Sequence, residues 1–111
     1  MTTKLSTTIV VTAGGDEVSS LDVQEGKHHH LHAQCDRDNG DIVLNFSTRR
    51  AMYDFAVSLL QESVYGTSGQ QEFYPLGYED DWLVVNGVRM DKNSARLLVS
   101  YGAEAFDVGG R

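Results

Sequence analysis

The chain has 111 residues, 41% of them apolar and 23% charged, with 9 Lys and Arg against 16 Asp and Glu and a net charge of -7. That length suits a single domain with its own core, and the composition is that of an ordinary globular protein. The acidic balance argues against nucleic acid and anionic membrane surfaces as partners, since both call for a basic footprint.

One cysteine, Cys35, excludes an intramolecular disulfide framework. The apolar run Ile9-Val10-Val11 is too short for the core of a signal peptide. No run approaches the roughly 20 apolar residues that span a bilayer. A cytoplasmic location is the expectation.

In chain order, Thr7 to Thr12 is rich in β-branched residues and reads as a strand, followed by a turn at Gly14-Gly15-Asp16. Val18 to Val23 is a weaker strand, closed by Glu25-Gly26. His28 to Arg37 and Ile42 to Phe46 form a hairpin around Asn39-Gly40, a pair suited to the positive φ angles of a type I′ turn. A two-residue loop sets Arg37 opposite Ile42, Cys35 opposite Leu44 and Ala33 opposite Phe46. Leu31, Ala33, Cys35, Ile42, Leu44 and Phe46 then share a core face, while His28, His30, His32, Gln34 and Asp36 share the other.

Ser47 or Thr48 can cap a helix that runs to about Tyr65, just before Gly66. Met52, Phe55, Ala56, Leu59 and Leu60 supply its apolar stripe. Arg49 and Arg50 sit in the first turn against the helix dipole, so nearby carboxylates should offset them. Gln71 to Tyr74 reads as a strand before Pro75, the one proline. Trp82 to Val85 and Val88 to Met90 form a second hairpin around Asn86-Gly87, with Leu83, Val85, Val88 and Met90 on one face and Trp82, Val84 and Arg89 on the other.

Asp91 or Asn93 can cap a second helix with Ala95, Leu98, Val99 and Gly102 inward. A strand over Arg96 to Tyr101 is the alternative, because Leu97, Val99 and Tyr101 alternate. The expected architecture is an α+β domain over residues 1–106, an antiparallel β-sheet built from hairpins with two α-helices packed on one face, followed by a loose tail over 107–111.

Four histidines fall within Lys27-His28-His29-His30-Leu31-His32. Histidine titrates near neutral pH and is the commonest metal ligand. On a strand, His28, His30 and His32 would stand on one side about 6–7 Å apart at each step, with Asp36 beyond them. They are the candidate ligands for zinc or another divalent metal, and a titrating polar face is the commoner meaning of such a run. His30-Leu31-His32 is similar to the His-x-His pair of cupins. The acidic residue those carry a few positions on is replaced here by Cys35 and Asp36, and no histidine is left for their second motif. His29 points to the core side, and Cys35 reads as a small core residue. No Gly-x-Ser-x-Gly elbow frames a serine, and Gly14-Gly15 precedes acids that would repel phosphate.

From Ala51 through Val88 there is no Lys or Arg, while Asp54, Glu62, Glu72, Glu79, Asp80 and Asp81 all fall there. Such a stretch attracts a basic partner, although a charged surface kept for solubility is the commoner reason. Within it, Phe73 to Trp82 carries four aromatics and three consecutive acids. Tyr74, Tyr78, Glu79, Asp80, Asp81 and Trp82 are the candidate partner-binding residues, since aromatics anchor interfaces and rim carboxylates steer a basic partner. A homodimer through Trp82 and Val84 is the blander alternative.

The helix from Ser47 to Tyr65, the stretch from Phe73 to Trp82 and the Leu83-Val84-Val85 strand resemble, in general character, the small acidic immunity proteins of bacterial polymorphic toxin systems. That resemblance covers the second half of the chain and rests on no diagnostic motif. It implies a non-enzymatic inhibitor without a cofactor that occludes the active site of a basic toxin or effector domain. It leaves the histidine run unexplained, and a metal-binding protein or metalloenzyme is the alternative.

Overall fold

A computed structural model describes residues 8–11, 27–78 and 81–102. The chain forms β1 (Leu31–Cys35), β2 (Ile42–Phe46), α1 (Arg49–Tyr65), β3 (Gln70–Phe73), β4 (Leu76–Tyr78), β5 (Asp81–Val85), β6 (Val88–Arg89) and β7 (Leu97–Ser100). The strands make three small sheets, β1–β2, β3–β7 and β4–β5–β6, with antiparallel pairing throughout. Among the described residues there is one helix. The expected sheet with two helices on one face is thus corrected to a mostly-β fold with a single helix.

The second helix fails because β3 offers its place a strand partner. Phe73 pairs with Leu97 and Gln71 with Val99. Leu97 and Val99 are half-buried, while Leu98 and Ser100 between and after them are exposed. Period-two alternation next to an open strand edge outweighs the helical spacing of Ala95, Leu98 and Val99, and the alternative strand reading is the one observed. Residues 103–111 lie outside the described residues, as do Gly14 to Asp16, Val18 to Val23 and Glu25-Gly26. Of the strand expected over Thr7 to Thr12, residues 8–11 are described and carry no strand.

The first hairpin keeps its faces but slips its register. Cys35 pairs with Ile42, Ala33 with Leu44 and Leu31 with Phe46, two residues from the expected pairing. The loop is longer than Asn39-Gly40 alone. The amide of Asp36 donates to Asp41 O at 2.7 Å, and the amide of Gly40 donates to Asp36 O at 2.7 Å. Inside it, Asp36 Oδ1 accepts from the amide of Asp38 and Asn39 Oδ1 from that of Asp41, each at 2.9 Å. These side-chain turns stabilise the wider loop, and only Gly40 takes positive φ. An even shift leaves every side chain on its expected side. The shared face is buried only at its base: Leu31 and Ala33 are closed off, while Cys35 and Ile42 toward the tip are exposed, so Cys35 is not a core residue.

The second hairpin forms as its sequence indicates. Val85 pairs with Val88 around Asn86 (φ 51°) and Gly87 (φ 78°), the positive pair of a type I′ turn. Val88, Arg89 and Met90 are all buried, so this short strand is covered on both faces. Arg89, placed outward by alternation, is an inside residue.

Thr48 caps α1: its Oγ1 accepts from the amide of Ala51 at 3.1 Å. Arg50 Nε donates to Asp54 Oδ1 at 2.9 Å, which offsets one of the two first-turn arginines. The inward face is rotated from the expected stripe. Ala51 and Ser58 are buried, Phe55 and Leu59 pack on the core, and Met52, Ala56 and Leu60 are exposed. Ser58 Oγ accepts from Gln71 Nε2 at 2.9 Å and lies close beneath Gly87, so a small polar residue is what the approach of β3 and the turn requires. Thr48→Ala removes the cap and a contact to His29. It is expected to lower stability by about 1–2 kcal/mol, read by urea unfolding, with Ser47→Ala changing it less.

Residues 90–95 then run beside β1. Met90 bridges Leu31 in parallel, the amide of Asp91 donates to Leu31 O at 3.2 Å, and that of Ala95 to Ala33 O at 2.8 Å. The core formed between these elements holds Leu31, Ala33, Phe73, Val88 and Met90, with Phe46, Phe55, Leu59, Leu97 and Val99 around it. Among the described residues, no helix is long and apolar enough to cross a membrane.

Candidate functional site

Lys27 and His28 form a turn, His29 and His30 lead out of it, and of the histidine run only His32 lies in β1, which begins at Leu31. Ser47 pins the run to the start of α1: its Oγ donates to His28 O at 2.6 Å and accepts from the amide of His30 at 2.8 Å. The ring of His28 lies 3.7 Å from that of His29. Nδ1 of His29 shares a 2.6 Å hydrogen bond with Oγ1 of Thr48, which places this residue on the core side as expected. Burial, and then the neighbouring His28, lower the pKa of His29 below its ordinary value.

His32 behaves differently. Its Nδ1 donates to Asp91 Oδ1 at 2.8 Å, and this hydrogen bond raises its pKa above the ordinary 6.5. His28, His30 and His32 thus face different neighbours instead of one shared point. Among the described residues, no three His, Cys, Asp or Glu groups come together as a metal set.

The His32–Asp91 pair makes stability depend on pH in a defined direction. A raised folded-state pKa contributes stability that is full below 6.5 and is lost as pH rises through the higher folded value. His29 has the opposite sign: its lowered pKa makes protonation unfavourable in the fold, so its contribution is lost as pH falls. Asp91→Asn keeps an acceptor for His32 but removes the charge. The stability gap between wild type and Asp91→Asn is expected to be full below pH 6.5 and to close as pH rises through the raised folded value of His32. Urea unfolding across that range reads it, and a gap that stays constant would show that the pair is not coupled to the fold.

Between the histidine run and the second hairpin lies a cleft of about 240 Å³. Met90, fully buried, and the half-buried Trp82 give it apolar surface, while Lys27, His30, Asp81, Arg89 and Asp91 complete its lining. The indole is positioned by Gly77, its cross-strand partner on β4. A Cβ at Gly77 would stand 3.0 Å from the ring, so any larger residue there would push the indole off its seat on β4. Arg89 Nε donates to Trp82 O at 2.6 Å, tying β6 to β5 beside the ladder. Burial lowers the Arg89 pKa below its ordinary value, while Asp81 acts to raise it. At the edge, Lys27 Nζ donates to Asp81 Oδ1 at 2.6 Å; both side chains are more than half exposed, so the pair adds little stability.

The cleft joins residues from both sequence-predicted sets: His30 from the metal candidates, Asp81 and Trp82 from the partner candidates. Tyr74 lies elsewhere, with the Arg96 guanidinium 5.6 Å above its ring. Tyr78 is the last residue of β4, and Glu79 and Asp80 lie outside the described residues. Lys27, Arg89, Met90 and Asp91 were not foreseen as site residues. The signal for Arg89 was present, since alternation sets it on the Trp82 face. The approach of Asp91 to β1 has no local signal. Comparison with protein-family models, curated proteins and solved structures finds no match to this chain.

Proposed function

We propose that the protein is a non-enzymatic, cytoplasmic protein-binding module whose partner seats an apolar side chain beside Trp82. The observation that carries this reading is the cleft itself. At about 240 Å³ it is below the size of common small-molecule pockets and suits a single anchoring side chain. A large aromatic at its wall, a buried Met90 and a charged rim reproduce the anatomy of an interface hot spot. Both carboxylates of its lining are engaged, Asp81 by Lys27 and Asp91 by the neighbouring His32, which supports recognition over acid-base chemistry.

The net charge of -7 favours a basic partner by long-range attraction. The narrowest form of the reading is an immunity-type inhibitor that covers a basic toxin or effector domain. Co-purification of the native complex at about 50 mM and about 500 mM salt tests the electrostatic part. The expected result is a complex that weakens with salt and with Asp81→Lys, chiefly through a slower association rate. A complex indifferent to both would remove the basic partner from the proposal.

A further inference from the structure

The first hairpin has one edge covered and the other open. On β1, Leu31 O accepts from the amide of Asp91 and Ala33 O from that of Ala95, while the Ala33 amide donates to Ser94 Oγ at 2.8 Å. On its far side β2 has no strand among the described residues. The bonds from Asp36 N to Asp41 O and from Ser47 N to His30 O are rungs at the two ends of the β1–β2 ladder. Bonded pairs alternate along an antiparallel ladder, so Val43 and Asn45 bond β1, and the amides and carbonyls of Ile42, Leu44 and Phe46 turn outward. Exposed edges are usually blunted by a charge, a proline or a bulge, because bare backbone groups template pairing with another strand. Ile42–Phe46 carries neither charge nor proline, and its register with β1 is unbroken. Its apolar side chains are open as well, with Ile42 71% and Leu44 38% exposed.

We infer that β2 pairs with β2 of a second copy of the chain, antiparallel about a two-fold axis at Leu44. In that register Leu44 meets its own counterpart and Ile42 meets Phe46 of the other copy, so every outward backbone group of the strand finds a partner. Cross-strand pairs are apolar on one face, Val43 stands beside Asn45 on the other, and no like charges oppose each other. Charge at the strand ends completes the fit. The same register sets Asp41 opposite Ser47 of the other copy, which brings the acidic loop of Asp38 and Asp41 beside the start of α1. There Arg49 is exposed, opposed by the helix dipole, and unlike Arg50 it has no carboxylate partner among the described residues. A second copy supplies that carboxylate. No β2 residue lines the Trp82 cleft, so the inference does not depend on partner binding there. One strand pairing covers a small area, so the dimer dissociates at roughly 10–100 μM.

The test follows sedimentation velocity and amide hydrogen exchange of the full chain from about 5 μM to about 1 mM. Monomer is expected to convert to dimer over that range. At low concentration Ile42, Leu44 and Phe46 should exchange freely while Val43 and Asn45 are protected by β1. Concentrating the protein should then slow the first set by about fivefold or more. Leu44→Lys sets two ammonium groups across the axis and should abolish the dimer. Arg49→Glu suits the helix dipole, so the fold is not at risk, and it should weaken association by about tenfold through two lost ion pairs. If Leu44→Lys does not fold, Arg49→Glu decides. A monomer at every concentration would overturn the inference, whether its edge amides exchange freely or are already protected by a segment of the same chain. So would a dimer indifferent to both substitutions, which would place the contact on another surface such as Trp82 and Val84.

Discussion

Phe73→Ala is expected to lower stability by about 3–5 kcal/mol, the largest loss of any single substitution considered for this fold. Phe73 is fully buried, and its ring meets that of Phe55 at 4.9 Å, which in turn meets Phe46 at 5.6 Å. This row of rings joins β3 and β2, strands of different sheets, through α1. Truncation therefore opens a void in the core that, among the described residues, the small sheets share. A domain of this size has about 5–15 kcal/mol in total. The loss is read by urea unfolding, with Trp82 emission as a second probe because it is the only tryptophan. A loss below about 1 kcal/mol would mean that the three sheets do not share this core.

Arg89→Ala is expected to lower stability by about 2–4 kcal/mol and to shift Trp82 emission toward the solvent-exposed wavelength. The substitution removes a side chain that is 6% exposed and withdraws the 2.6 Å donor from Trp82 O. It also removes the cation that faces Asp81. Arg89→Lys keeps a charge without the planar Nε donor, so it should recover only part of the loss. Full recovery by lysine would show that charge alone matters at this position and that the bond to Trp82 O contributes nothing.

Local signals carried some parts of this fold and failed at others for identifiable reasons. Asn86-Gly87 was readable because a two-residue turn depends on the turn residues and their immediate neighbours. Asn39-Gly40 carried the same signal. There, Asp36 and Asn39 made side-chain turns of their own and widened the loop, yet the even slip preserved both faces. β4 was missed because Pro75 and Gly77 weaken a strand pattern of three residues, and its pairing with β5 is what creates it. The helix over residues 49–65 was correct in extent, and its inward face is rotated from the expected stripe, which keeps Phe55 and Leu59 on the core. Met52 and Leu60 looked inward by hydrophobicity, but the close approach of β3 selected Ser58 and Ala51 instead.

The candidate site was half legible. Trp82, Asp81 and His30 stood out as an aromatic, an acid and a member of the histidine run. Their meeting depends on contacts far apart in sequence: Asp91 with His32 and Leu31, and Lys27 with Asp81. The expected strand row of three histidines is interrupted likewise, because β1 begins only at Leu31 and Ser47 bonds the His28 carbonyl and the His30 amide ahead of it.

The most direct measurement is capture from the native host at low salt, comparing wild type with Trp82→Ala and identifying what is retained by mass spectrometry. A binding module built on the Trp82 cleft predicts one stoichiometric, basic partner held by wild type and lost by Trp82→Ala, with both chains equally folded. The same partner retained by Trp82→Ala, or no stoichiometric partner on wild type, would contradict it.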